Sequence, residues 1–281
     1  MEFTTDNTTK QIQDTIIKIL KSFAGICEKH NLRYYLIDGS MLGAIRHHGF
    51  IPWDDDLDIA MPREDYEKFC KIAAKELPGN MYFVSYEESL KGKSLGEISQ
   101  IYCTDLKVEM DYFSETKDTD VWMDVMIMYG MPGGKLRQRM HFFHYYLIKG
   151  IARMGRIKNV GGKKYGFVEK TAIALAKAID LSRIIDTEKM LLKSVKVLKK
   201  YPYDSSESLI VVPSEYGKNE IVPKNYYEGG RKEKFEDLEA SVPAEAEKVL
   251  TKLYGDYMEF PPVEKRKSKH KVRIIGSKQS E

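Results

Sequence analysis

Carboxylates crowd one short stretch of this chain: Asp54, Asp55, Asp56 and Asp58 lie in the run FIPWDDDLDI that begins at Phe50. From Asp56 to Met61 acid and apolar residues alternate, the two-residue period of a strand. Such a strand would carry Asp56 and Asp58 side by side on one face. Two ionised carboxylates so close repel, and one holds its proton unless a cation intervenes. Hard oxygen donors suit Mg2+ or Mn2+. A third acid, Asp124, alone interrupts the apolar run Val121–Met128, and a lone buried aspartate needs a partner or a metal. Asp56, Asp58 and Asp124 are therefore the expected catalytic and metal-binding residues, with Asp124 either a ligand or a base. Asp54 and Asp55 read first as the turn that delivers the strand.

Upstream, Gly39 permits a tight turn and close backbone approach. Ser40 sits where a short helix would start, with Met41, Leu42, Ala44 and Ile45 as its body. A helix start draws phosphate, so Gly39 and Ser40 are expected to bind donor phosphate. Arg46, beyond that helix, matches phosphate with a two-pronged guanidinium and equally reads as a solvated arginine. Trp53 would stack on a base or fill the turn. Metal on one side and a helix start on the other describe a place for a nucleotide diphosphate, and phosphoryl-type transfer is the chemistry such a place favours.

These residues must be carried by a mixed set of elements. Ile12, Ile16, Leu20, Phe23 and Cys27 predict an amphipathic helix over 9–29. Strands are expected at 34–38, 56–61, 81–86, 97–103, 121–128 and 208–213. Pro62 opens a helix buried through Tyr66, Phe69, Cys70 and Ala73. Residues 135–200 read as helical, with separate helices at 167–181 and 188–198, and a last helix over 244–254 ends at Gly255. The polar residues 265–281 read as a partly disordered tail.

Composition sets outer bounds. With 42% hydrophobic and 31% charged residues in 281, the chain is ordinary for a globular protein that buries a sizeable core. A net charge of +3 does not by itself imply nucleic acid, and there is no recognised nucleic-acid motif. Cys27, Cys70 and Cys103 fit neither a disulfide framework nor a zinc pattern, which points to a reducing interior. The first ten residues lack the apolar run of a signal peptide, and no run approaches the roughly 20 apolar residues of a membrane span. A cytoplasmic protein is expected. Between 135 and 158, arginines and lysines mingle with Phe142, Phe143, Tyr145, Tyr146 and Leu147. That mixture suits peripheral contact with the inner face of a membrane, and it also suits a core helix with solvated basic flanks.

The run DGSMLGAIRHHGFIPWDDDLDIAMPREDYEKF resembles the LicD family of phosphotransferases. The C-terminal run FEDLEASVPAEAEKVLTKLYGDYMEFPPVEKRKSKH resembles that family's close. The resemblance covers roughly 30–62 and 235–270; residues 135–200 match no motif. It implies an α+β, nucleotidyltransferase-like fold, a small mixed sheet flanked by helices, in one catalytic domain over 1–281. Residues 1–134 would carry the motifs, 135–200 would be a helical insertion, and 201–281 would complete the domain. It further implies a cytoplasmic enzyme that moves a phospho-substituent, phosphocholine above all, from a CDP-linked donor such as CDP-choline to a cell-surface glycan or teichoic-acid precursor. By that likeness Gly39 and Ser40 match the Gly-Ser phosphate motif, Asp56 and Asp58 the metal pair, and Asp124 the third carboxylate. Lys265, Arg266, Lys267 and His270 would reach back over the phosphates. After Asp124 the chain runs Met128-Tyr129-Gly130-Met131-Pro132, a departure from the family's usual Phe-Pro-Leu-Asp. Two rival functions stand beside this one: nucleotidyl transfer at an α-phosphate, and a silent nucleotide- or sugar-binding protein.

Overall fold

A computed structural model describes residues 5–91, 93, 95–112, 115–155, 184–213, 220–268 and 272–277. Helix α1 (Asn7–Lys29) begins where the Asp6 carboxylate accepts the Thr9 amide at 3.0 Å, an N-cap. It buries the expected stripe of Ile12, Ile16, Leu20, Phe23 and Cys27. Strand β1 (Tyr35–Leu36), helix α2 (Asp38–His47) and strand β2 (Asp58–Pro62) follow, then helix α3 (Arg63–Glu76), strand β3 (Met81–Val84) and the short helix α4 (Tyr86–Ser89). Two long strands, β4 (Ser99–Tyr112) and β5 (Glu115–Met131), form the spine of the sheet. Helices α5 (Lys135–Gly155) and α6 (Thr187–Leu198) pack on each other. The expected helix at 167–181 falls outside the described residues. Strands β6 (Ser208–Val212), β7 (Val222–Pro223), β8 (Arg231–Phe235) and β9 (Leu238–Val242), helix α7 (Ala246–Tyr254) and strand β10 (Val272–Ser277) complete the order.

The main sheet is mixed, as an α+β fold requires. Its order runs β1-β2-β5-β4-β10, with β3 also on β4 and β6 on β5 and β7. The β2–β5 pair is parallel and the remaining pairs are antiparallel. A register shift between Cys103 and Lys107 lets β4 serve β3 on its first half and β10 on its second. Alternate residues of the spine face a dry interior: Ser99, Ile101, Cys103, Met123 and Val125 are at most 1% exposed. Helix α1 lies over β4 and β5, and the Tyr66 hydroxyl of α3 meets Ser99 Oγ at 2.8 Å. Edge-on rings, Phe23–Phe69 and Phe69–Phe83, tie α1, α3 and β3 together with centroids 5.1 and 5.2 Å apart.

The sequence reading needs correction in three places. Helix α2 starts at Asp38, two residues before Ser40; Ile37 is the N-cap and Asp38 adopts a positive φ of 47°, which aspartate tolerates better than most residues. Strand β2 starts at Asp58, not Asp56, because its first amide is taken by the Ser40 hydroxyl (2.8 Å) and its pairing with β1 reaches only Ile59 and Ala60. The polar tail contains β10, an edge strand whose Val272 and Ile274 alternate inward over β4.

Candidate active site

The parallel pairing of β2 with β5 sets Asp58 directly opposite Asp124. Neighbouring strands are about 4.8 Å apart, and paired residues project to the same face. The row continues onto β4, where Gln100 stands opposite Asp124. Gln100 is 2% exposed and donates its amide to Asp124 Oδ1 at 2.7 Å. The Tyr102 hydroxyl donates to Gln100 Oε1, which orients the amide with its N–H toward the carboxylate. Sequence reasoning missed Gln100. A glutamine inside a strand has no signal of its own, and only the register of the β4–β5 hairpin, shifted between Cys103 and Lys107, aligns it with Asp124.

The triplet ahead of β2 does more than turn the chain. Asp54, Asp55 and Asp56 bring one carboxylate oxygen each within 4.8 Å of the others. Asp54 and Asp55 are buried, at 8% and 6% exposure. The loop holding them is fixed from several sides: Gln13 of α1 donates to the Asp54 carbonyl at 2.8 Å, and the Asp54 amide returns to Ile51 O at 2.9 Å. Ser268 donates to Asp55 Oδ2 at 2.7 Å. Asp56 belongs to this triplet and not to a shared strand face with Asp58, since the strand has not yet begun. Three carboxylates at this separation repel one another, and oxygen-only donors fit a hard divalent cation. The donor set therefore suits Mg2+ or Mn2+, with Asp54, Asp55 and Asp56 converging and Asp58 and Asp124 adjacent in sequence or register.

The Gly-Ser pair is bound into this arrangement. A Cβ on Gly39 would lie 3.1 Å from Asp54 Oδ2, so the absence of a side chain makes room for the carboxylate at the start of α2. Ser40, 7% exposed, accepts the Asp58 amide and so joins α2 to the head of β2. Arg46 donates to the carbonyls of Tyr257 (2.7 Å) and Glu259 (3.3 Å), and its guanidinium lies 4.7 Å from the Phe260 ring. Burial, and then Arg266, lower its pKa. The neighbouring His47 meets Trp53 and Phe260 edge-on, and burial followed by Arg46 pushes its pKa down to about 4. Arg266 reaches back, 5.9 Å from the Trp53 ring. The C-terminal segment thus closes over the acidic loop through Arg46, Arg266 and Ser268. His270 lies outside the described residues.

Residues 31–144 match the family described as LicD/FKTN/FKRP, nucleotidyltransferase domain, a span that holds Gly39, Ser40, the acidic run, Gln100 and Asp124. Lipopolysaccharide cholinephosphotransferase LicD of Haemophilus influenzae is 28% identical over 265 residues, which cover 94% of this chain and 96% of that protein. The resemblance of this chain to the LicD family is borne out. Human Ribitol 5-phosphate transferase FKRP is 49% identical over 41 residues, 15% of this chain and 8% of that protein. An uncharacterised protein of Rickettsia prowazekii is 38% identical over 76 residues, 27% of this chain and 28% of the relative. The expectation of a LicD-type phosphotransferase is borne out at the level of enzyme class. Among the described residues no helix is long and apolar enough to cross a membrane.

Proposed function

We propose that this chain is a LicD-type transferase that, as one catalytic domain, moves a phospho-substituent, phosphocholine in the first instance, from a CDP-linked donor. The acceptor is a hydroxyl of a cell-surface glycan or teichoic-acid precursor, and CMP is released on the cytoplasmic side. The observation that carries the reading is the register of Asp58 against Asp124 across two parallel strands, with three converging carboxylates just upstream. The match to a cholinephosphotransferase along nearly the whole chain supports phosphocholine as the transferred group.

In this reading Asp54, Asp55, Asp56 and Asp58 hold Mg2+ or Mn2+. The bound ion would neutralise charge on the donor pyrophosphate and on the departing CMP. Asp124, steadied on one oxygen by Gln100, takes the proton of the acceptor hydroxyl with the other. The acceptor oxygen then bonds to the phosphorus that carries choline. The bond from that phosphorus to the bridging oxygen breaks, and its electron pair leaves with CMP. The start of α2 lies against the acidic loop and orients the donor phosphates. Arg46 acts through the C-terminal segment it anchors, which shields the reacting groups from water.

The test is release of CMP from CDP-choline with Mg2+ present, for the wild type and for Asp58→Asn. Loss of at least about a thousandfold is expected, because both charge neutralisation and alignment depend on that carboxylate. Wild-type turnover by the variant would remove Asp58 from the chemistry. Release of phosphocholine in place of CMP, with the cytidylyl group carried to the acceptor, would assign the chain to nucleotidyl transfer.

A further inference from the structure

Helix α5 presents an apolar stripe to solvent. Leu136, Met140, Phe143, Leu147 and Met154 are 71%, 64%, 67%, 50% and 41% exposed, five of the eleven exposed large hydrophobic residues among those described. At 100° per residue they fall on one narrow line along the helix. The line is turned away from the face that buries His141, Tyr145, Ile148, Ala152 and Gly155 against the protein. Isolated exposed apolar residues are ordinary, but a continuous stripe of this kind marks a contact surface.

Charge decides what that contact is. Arg137 and His144 border the stripe on one side, Lys135, Arg139 and Arg153 on the other, and α5 contains no aspartate or glutamate. We propose that α5 is a peripheral anchor that lies flat on an anionic lipid surface, its Leu, Met and Phe side chains in the acyl boundary and its basic borders among the headgroups. The 4-3-4 spacing of the stripe also fits the seam of a helix pair. A second copy would set basic border against basic border with no acid to offset them, so self-pairing is disfavoured. With about 30 Å of helix at 21 residues, the stripe is long enough to lie in the plane of the interface. The inference is independent of the transfer reaction and would hold if the head group or even the reaction class proved different.

The experiment is co-sedimentation of the full chain at low salt with two vesicle types, phosphatidylcholine alone and phosphatidylcholine mixed equally with phosphatidylglycerol. Binding to the mixed vesicles alone is expected, with release as salt is raised. Phe143→Asp with Leu147→Asp should lower binding at least tenfold. Arg137→Gln and Arg139→Gln should weaken it about fivefold each. All four side chains lie outside the buried face of α5, so circular dichroism and Tm should stay at wild-type values and separate lost anchoring from lost folding. No binding to anionic vesicles, or binding that survives both pairs of substitutions, would overturn the proposal. A lipid-free dimer abolished by Phe143→Asp would assign the stripe to a second copy, and binding to polyglutamate but not to vesicles would assign it to an acidic protein.

Discussion

Gln100 is the residue on which the geometry turns most sharply. Its amide supplies a hydrogen bond to Asp124, and Tyr102 fixes which end of the amide faces the carboxylate. It touches neither donor nor acceptor in the proposed reaction; it positions the base. Gln100→Leu should therefore lower kcat for CMP release about tenfold to a hundredfold while KM for CDP-choline stays near the wild-type value. Gln100→Glu should not rescue it, because a carboxylate brings charge and no donor. Steady-state kinetics beside a melting curve would check this. An equal rise in KM with unchanged kcat would move Gln100 from the base to donor binding. Asp54 and Asp55 carry a related lesson. Turn chemistry accounts for them in the sequence, and only their burial and convergence with Asp56 bring them into the candidate site.

At the scale of elements, the active loop is held by a contact no periodicity reveals. The turn between β8 and β9 places Glu236, at φ 58°, against the Gly49 backbone. Its amide donates to His48 O at 2.8 Å, and its carboxylate accepts the Phe50 amide at 3.0 Å. Gly43, inside α2, lies so close to this loop that an added Cβ would stand 2.4 Å from Gly49 O. Gly43→Ala should gain helix propensity yet destabilise the protein by about 1–3 kcal/mol through overpacking against backbone. Urea denaturation read by circular dichroism would measure it. A stabilised Gly43→Ala variant would mean that α2 and the loop are not in contact in solution. The β8–β9 hairpin itself escaped the sequence reading because its strands are rich in Lys and Glu, with only Phe235, Ala240 and Val242 buried.

For the whole molecule, a cation held by the acidic loop would couple binding to stability. The loop is pinned by α1 through Gln13 and by the C-terminal segment through Ser268, while Gly39 of α2 leaves room for the Asp54 carboxylate. A divalent cation that relieves repulsion among Asp54, Asp55 and Asp56 should stabilise both attachments together. Saturating Mg2+ or Mn2+ is expected to raise Tm by several degrees, since a ligand at a hundred times its Kd adds about 2.7 kcal/mol. Asp55→Asn should reduce that rise, because it removes one of the three converging carboxylates. Scanning calorimetry with and without chelator would read both. An unchanged wild-type Tm with either ion would exclude the acidic loop as a cation site.

Much of this protein is legible in its sequence because it is local. The stripe on α1, the short helix after Ile37, the apolar run around Asp124 and the Gly255 stop each depend on neighbours a few residues apart. The density of acid between Asp54 and Asp58 marks the site with no structure at all. The assignment of roles within it was not local. A two-residue alternation starting at Asp56 looks like a strand, but a strand needs a partner, and the pairing with β1 reaches no further than Ile59. The same holds for Gln100 opposite Asp124, for Asp54 against Gly39, and for Ser268 on Asp55. Each joins residues of different elements, and their distances depend on register and chain closure, which residue order alone does not encode. The sequence by itself determined which acids crowd the candidate site; the tertiary structure decided which carboxylate stands beside which.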